Sequence, residues 1–129
     1  MKQEIRRLPE SELEIMLAIW QAEGPVTSAY VGQQMQQHGW ANTTVLNFLA
    51  RLVDKGFLCR EKQGKNNLYT PLIQEEEYLR QESRSFLQKL YGNSVKNMVA
   101  ALYHDHTINE SDLQELRDFL DAQGGKEGS

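Results

Sequence analysis

One cysteine, three prolines and no long apolar run are the scarcities of this 129-residue chain, and they close off whole classes of protein. Cys59 has no second thiol to pair with and no metal-ligand spacing around it, so a disulfide framework and a cysteine-based metal knuckle are both excluded. It falls on an expected strand with no base beside it, which makes it a half-buried structural thiol and not a nucleophile. No stretch approaches the roughly 20 apolar residues that cross a bilayer. The opening MKQEIRRLP lacks the hydrophobic centre of a secretion signal, so no membrane insertion and a cytoplasmic location are expected. Glycine-rich phosphate loops and nucleophile elbows are missing as well. His104-Asp105-His106 is the one cluster that hints at a metal, yet residues two apart on a helix point in different directions. A polar helix terminus is the better account. No enzyme, no cofactor and no bound metal are expected.

An excess of positive charge is also missing. The net charge is −4, which argues against a nucleic-acid partner until it is divided along the chain. Residues 1–71 carry 8 Lys/Arg and 7 Asp/Glu, a balance of +1, whereas residues 72–129 carry 6 and 11, a balance of −5. Within residues 40–71 alone there are 5 basic groups and 2 acidic ones. What cationic character the chain has is gathered in one segment, where phosphate contacts would need it.

That segment has a pattern. Residues 42–71, NTTVLNFLARLVDKGFLCREKQGKNNLYTP, read as an amphipathic helix running into a short hairpin. Val45, Leu49, Leu52 and Val53 recur at helical spacing as a buried stripe. Thr43, Leu46, Asn47 and Ala50 lie on the opposite side, small and polar enough to face bases. Asn42 is the expected cap and Gly56 the left-handed stop. Residues 57–61 and 68–70 are the expected strands, with Gly64-Lys65-Asn66-Asn67 as the turn. Ahead of this lie two more helices. Pro9 or a Ser11–Glu14 capping box opens the first, with Leu13, Met16, Leu17 and Trp20 inward, and Gly24-Pro25 ends it. Thr27 or Ser28 caps the second, which turns Val31 and Met35 inward and ends near Gly39. Val26 adds a short strand to the hairpin, and Trp20 and Trp40 serve as packing in the core and the helix joint. Three helices with a wing make a winged helix-turn-helix, expected over residues 1–73.

The second half predicts helices without strands. Residues 74–91 place Leu79, Phe86, Leu87 and Leu90 on one side, and Gly92 stops them. Asn93 or Ser94 starts a helix with Val95, Met98, Val99 and Leu102 in register, and Asn109 caps another with Leu113, Leu116 and Leu120. Such short amphipathic helices bury little apolar surface alone, and a second copy of the chain is the simplest cover. Residues 74–123 are therefore read as a dimerisation module, with Leu79, Phe86, Leu90, Val95, Met98, Val99, Leu102, Leu113, Leu116 and Leu120 at the interface. Residues 124–129 are expected to be a flexible tail. The fold class is mainly α with a small β-hairpin.

The sequence resembles the penicillinase-repressor family, the BlaI/MecI type of winged-helix repressor. The matching pieces are LPESELEIMLAIW, TTVLNFLARLVDKGFL, the wing ending NNLYTPL, FLQKLYGNSVKNMV and LQELRDFL, which together span about residues 8–122. The resemblance implies a homodimer that binds a palindromic operator and represses transcription. In the best-known branch a membrane sensor-protease detects β-lactam and triggers cleavage of the repressor, which makes such a protease an implied partner. Ala101-Leu102 stands where that branch carries its Asn-Phe scissile pair, at once the candidate cleavage site and a departure from the pattern. The C-terminal cysteine pairs of the copper-responsive branch are missing, so copper sensing does not carry over. Leu46 stands where the family often has Arg, and an apolar side chain there would meet a thymine methyl in place of a guanine edge.

Residue placement supplies roles. Thr43 and Thr44 are candidates for phosphate and base contacts, Asn47 for base-edge hydrogen bonds, and Arg51 for the backbone. Arg60, Lys62 and Lys65 would follow phosphates or the minor groove from the wing, and Thr27 and Ser28 would hold the backbone across the groove. Two heads joined by the acidic helices would take half-sites a helical turn or more apart on double-stranded DNA. Release would follow from anything that breaks or reorients the dimer, proteolysis included. A winged-helix module that binds a protein and not DNA is the competing reading; sequence-specific, salt-dependent DNA binding separates the two.

Overall fold

The structure, a computed structural model, describes residues 5–127, with side chains as far as residue 124. It divides into two compact units, 1–82 and 83–129.

The first unit is built around α1 (Glu10–Ala22). Pro9 is the residue that opens it, with its carbonyl accepting the Leu13 amide at 2.9 Å. The expected Ser11–Glu14 capping box does not form, because Ser11 already lies inside the helix and Glu14 turns to His38 instead. The inward face also differs from the expected stripe. Ile15, Met16, Ile19 and Trp20 are buried, while Leu13 and Leu17 are only half-buried. Helix α1 touches both α2 (Ser28–Gln34) and α3 (Asn42–Asp54), so its covered arc is wider than a one-sided stripe and centres on the isoleucines. Thr27 caps α2, its hydroxyl accepting the Tyr30 amide at 3.2 Å. A 3-10 turn (Gln36–His38) and Gly39, at φ 65°, make the joint to α3. Ala41, not Asn42, occupies the cap position of α3, and no side chain caps that helix.

After α3, Gly56 takes φ 83° and hands the chain to the hairpin β1 (Leu58–Gln63) and β2 (Asn66–Pro71). The turn is shorter than the four residues expected. Gly64, at φ 61°, fills the first central position of a two-residue turn with Lys65. Asn66 and Asn67 are thereby released into β2, opposite Gln63 and Lys62. Val26 adds the expected third contact, exchanging two hydrogen bonds with Tyr69 at 3.0 and 2.8 Å. Val31, Met35, Val45, Leu49, Leu52, Phe57 and Leu58 complete one core with α1.

Helix α4 (Glu75–Tyr91) begins in this unit and carries it past residue 73. Tyr78 is buried between Trp20 and Phe57, with ring centres 5.9 and 5.8 Å away. Its hydroxyl accepts the Leu8 amide at 3.0 Å, Gln81 bonds the Ile5 carbonyl, and Arg7 meets Glu82 at 3.2 Å. Trp20 Nε1 donates to the Ile73 carbonyl at 2.8 Å. Burial raises the Tyr78 phenol above its ordinary value of 10.0. A phenol raised by folding contributes stability that is whole below pH 10 and is lost as pH climbs through the raised value. Equilibrium unfolding across that range is expected to show an alkaline loss that Tyr78→Phe abolishes. The variant should lie about 1 kcal/mol lower at neutral pH, since the Leu8 amide loses its acceptor.

The second unit holds the end of α4, then α5 (Val95–His104) and α6 (Glu110–Glu127). Gly92 at φ 53° and Asn93 at φ 69° reverse the chain, and Ser94 caps α5 through the Asn97 amide at 3.1 Å. Asn109 and Asp112 exchange side-chain-to-amide bonds of 2.9 Å, a reciprocal cap for α6. Tyr103 donates to Glu110 at 3.0 Å between α5 and α6. Helix α6 runs through Gly124 and Gly125 to Glu127, where a flexible tail was expected from residue 124. Gly124 keeps a φ outside the left-handed range, so it provides no stop there. Residues 128 and 129 of that expected tail lie outside the described residues. Among the described residues no helix is long and apolar enough to cross a membrane.

Candidate nucleic-acid interface

Helix α3 divides cleanly into two sides. Val45, Leu49 and Leu52 are buried in the core, which leaves Thr43, Leu46 and Asn47 exposed and Thr44 and Ala50 half-buried. The exposed trio offers a hydroxyl, an apolar branch and an amide with both donor and acceptor, a set able to read base edges. At the start of the helix, the Ala41 carbonyl accepts the Thr44 and Val45 amides at 3.0 and 3.2 Å, and no side chain supplies a cap. The opening amides of an uncapped helix present donors and a partial positive charge to whatever faces them. Arg51 is exposed on the same helix, its guanidinium carbon 5.7 Å from the centre of the Phe48 ring.

The wing leaves the body of the unit as it extends. Leu58 at the base of β1 is buried, Cys59 is half-buried, and everything from Arg60 to Gln63 is exposed. Arg60 and Lys62 share a face by strand alternation, opposite Tyr69 and Asn67, and Lys65 sits at the turn. Glu61 points to the other face. Thr27 and Ser28 are half-buried at the start of α2, and the Thr27 hydroxyl is already occupied by the Tyr30 amide.

All ten residues singled out for DNA contact fall in the unit 1–82. The sequence count of five basic groups near α3 and the wing overstates the free charge. Lys55 Nζ is 2.5 Å from the buried Glu12 carboxylate of α1, which leaves Arg51, Arg60, Lys62 and Lys65 facing outward. Nothing in the linear pattern pairs Glu12 with Lys55, since the two meet only when α1 and α3 pack. Of the residues singled out for the dimer interface, Leu79 lies in the first unit and the rest in the second. Leu79, Phe86, Leu90, Val95, Leu116 and Leu120 are exposed, and Met98, Val99, Leu102 and Leu113 are half-buried. Exposed Phe119 and Tyr103 join them; Phe119 stands three residues after Leu116 and Tyr103 four after Val99, spacings that could have placed both on the same faces. Ala101 is exposed and Leu102 half-buried, both inside α5. His104 ends α5 and His106 takes φ 65° beyond it. Among the described residues no three His, Cys, Asp or Glu side chains converge as metal ligands.

Residues 8–122 match the family model described as penicillinase repressor. The chain is 29% identical to the penicillinase repressor of Bacillus licheniformis over 117 residues, covering 91% of each. It is 24% identical to the methicillin resistance regulatory protein MecI of Staphylococcus aureus, covering 90% of this chain and 94% of that one. Among solved structures, the DNA-binding domain of the repressor BlaI superposes with a TM-score of 0.52 at 31% identity, covering 60% of this chain and 94% of that domain. The arrangement of helices and hairpin in the first unit is that of a winged helix-turn-helix domain.

Proposed function

This chain belongs to the penicillinase repressor family of DNA-binding transcriptional regulators, which are not enzymes, and from that premise we propose that it represses transcription as a homodimer on a palindromic operator. The observation that carries the reading is the outward side of α3, where Thr43, Leu46 and Asn47 stand exposed beside a cationic wing. In this reading Asn47 bonds a base edge, Leu46 packs on a thymine methyl, and Thr43 and Thr44 serve phosphate and base near the helix start. Arg51, Arg60, Lys62 and Lys65 neutralise phosphates, with Ser28 at the start of α2 on the opposite backbone. Thr27 supports α2 as its cap, which leaves it the weaker contact. In this reading the first unit, which extends into α4 as far as residue 82 and not only to 73, carries the reading head, and the residues beyond it carry the dimer. The exposed apolar side chains of the second unit support a second copy as their cover. In this reading the chain works in the cytoplasm, where it would reach its operator.

Release follows from loss of the dimer. Cleavage at Ala101-Leu102 would need α5 to unwind first, because both residues are helical and a protease takes extended chain.

Selection from random double-stranded DNA with the purified chain, at two salt concentrations, tests this reading. A two-fold symmetric consensus whose affinity falls steeply with salt is the expected result. A folded chain that enriches no sequence would leave the protein-interaction module standing in its place. On the selected duplex, Asn47→Ala is expected to cost about 1–3 kcal/mol and to relax the preference at one position per half-site. Lys65→Ala should weaken every sequence alike and flatten the salt dependence. Equal losses on all sequences from both variants would remove the role assigned to Asn47.

A further inference from the structure

An aromatic stack backs the exposed face of α3, and no base or phosphate contact proposed above uses it. Trp40, in the joint before α3, lies face to face with His38, with ring centres 4.2 Å apart and planes 6° from parallel. Phe48, half-buried on α3, meets Trp40 at 5.0 Å with a tilt of 55°. Beyond Phe48 comes the Arg51 guanidinium, 5.7 Å from the ring centre. At the far end His38 Nε2 and Glu14 Oε1 of α1 are 2.7 Å apart. The contacts run unbroken from α1, through the helix joint, to a cation on the outer surface.

We propose that Phe48, held in place by Trp40 and His38, is a positioning platform that presents Arg51 to the DNA backbone. The proposal rests on the operator-binding reading above. Phe48 and Arg51 are three residues apart on α3, so their side chains share a side of the helix. A free arginine loses much rotamer freedom when it grips a phosphate. One already resting over a ring has lost part of that freedom before DNA arrives, and its fork of N–H donors stays available. The platform also settles a competition. Asp54 lies one turn further along α3 and offers Arg51 a carboxylate, yet among the described residues no ion pair joins them. The guanidinium sits on the ring instead. Phe48 can act this way only while it is itself fixed, and Trp40, sandwiched between Phe48 and the Glu14-anchored His38, supplies that constraint.

A double-mutant cycle on the full chain tests the platform. Phe48→Leu keeps apolar bulk and removes the ring, Arg51→Ala removes the cation, and the double variant closes the cycle. Binding is read on two duplexes, one carrying the sequence the wild-type chain enriches and one of mixed sequence, because a phosphate contact carries no sequence information. Phe48→Leu is expected to weaken both by roughly two- to fivefold, the range of an exposed cation–π contact. In the Arg51→Ala background the same change should add nothing. Phe48→Tyr, which keeps the ring, should bind as the wild type does. Thermal unfolding checks that each variant is folded at the binding temperature, and Phe48→Met replaces any Phe48→Leu chain that is not. Additive losses around the cycle, or a Phe48→Tyr chain as weak as Phe48→Leu, would overturn the platform while leaving the operator reading intact. A wild-type chain that binds neither duplex would overturn both.

Discussion

A Leu120→Asp chain is expected to sediment as a monomer at concentrations where the parent is a dimer. Leu120 is 56% exposed in the single chain, on α6 beside exposed Leu116 and Phe119, and the end of α4 adds Phe86 at 43% and Leu90 at 63%. Covering a leucine is worth about 1.5–3 kcal/mol. A two-fold interface presents each residue twice and can cover only the 56% of Leu120 still exposed, so the substitution removes about 2–3 kcal/mol and places two carboxylates where apolar surface should meet. That corresponds to dimerisation weaker by roughly thirty- to a hundred-and-fifty-fold, and the carboxylates weaken it further. Operator binding should fall with it, since the two heads would then engage their half-sites as separate molecules, while weak binding to a single half-site persists. Leu102 is the less informative position. It is half-buried by its own unit, and its carbonyl holds the Thr107 and Ile108 amides at 2.9 and 3.3 Å, so a charge there would disturb the α5–α6 joint as well. Analytical ultracentrifugation decides the matter. A Leu120→Asp dimer as tight as the parent would take α6 out of the interface and leave α4 and α5 to form it.

Lys55→Met is expected to be the most damaging single change in the first unit outside its apolar core. Glu12 is 2% exposed, and the Lys55 ammonium at 2.5 Å is the partner that makes a carboxylate tolerable there. Removing one member of such a pair leaves an uncompensated charge in a poorly hydrated site, a loss of about 3–5 kcal/mol, here towards the lower end because the Lys55 side chain keeps 20% of its exposure. The double change Glu12→Gln with Lys55→Met should recover a large part of the loss, because the charge disappears along with its partner. Lys55 follows directly on α3, so the weakened chain should also lose DNA affinity by loosening the end of that helix. Denaturant unfolding of the two single variants and the double variant measures the coupling. A Lys55→Met chain within about 1 kcal/mol of the parent would mean that water reaches Glu12 freely.

The hairpin and the outward side of α3 were legible in outline. On α3, Val45, Leu49 and Leu52 recur at spacings of three and four and take the core, which leaves Thr43, Leu46 and Asn47 outside, and Gly56 and Gly64 mark turns at which only positive φ continues the chain. Legibility failed where two elements compete for one residue. Ser11 and Glu14 form a proper capping-box pattern, but Pro9 starts the helix earlier and His38 takes Glu14. The buried side of α1 is wider than its spacing predicts, because a helix touched by both α2 and α3 buries more than one face. Tyr78 shows the limit most clearly. Three glutamates precede it and its helix reads as part of the dimerisation module, yet it completes the core between Trp20 and Phe57 and carries the first unit into α4.

By itself, the sequence determined the fold class, the side of α3 that faces outward, the cationic hairpin beside it and the unburied leucines of the second half. These follow from periodicity, turn chemistry and charge, all of which act over a few residues. Tertiary structure alone decided that Lys55 is spent on Glu12, that Tyr78 belongs to the core, and that Arg51 rests on Phe48. Those are contacts between groups brought together by packing, or choices among partners that only packing makes available, and local pattern carries no information about which partner wins.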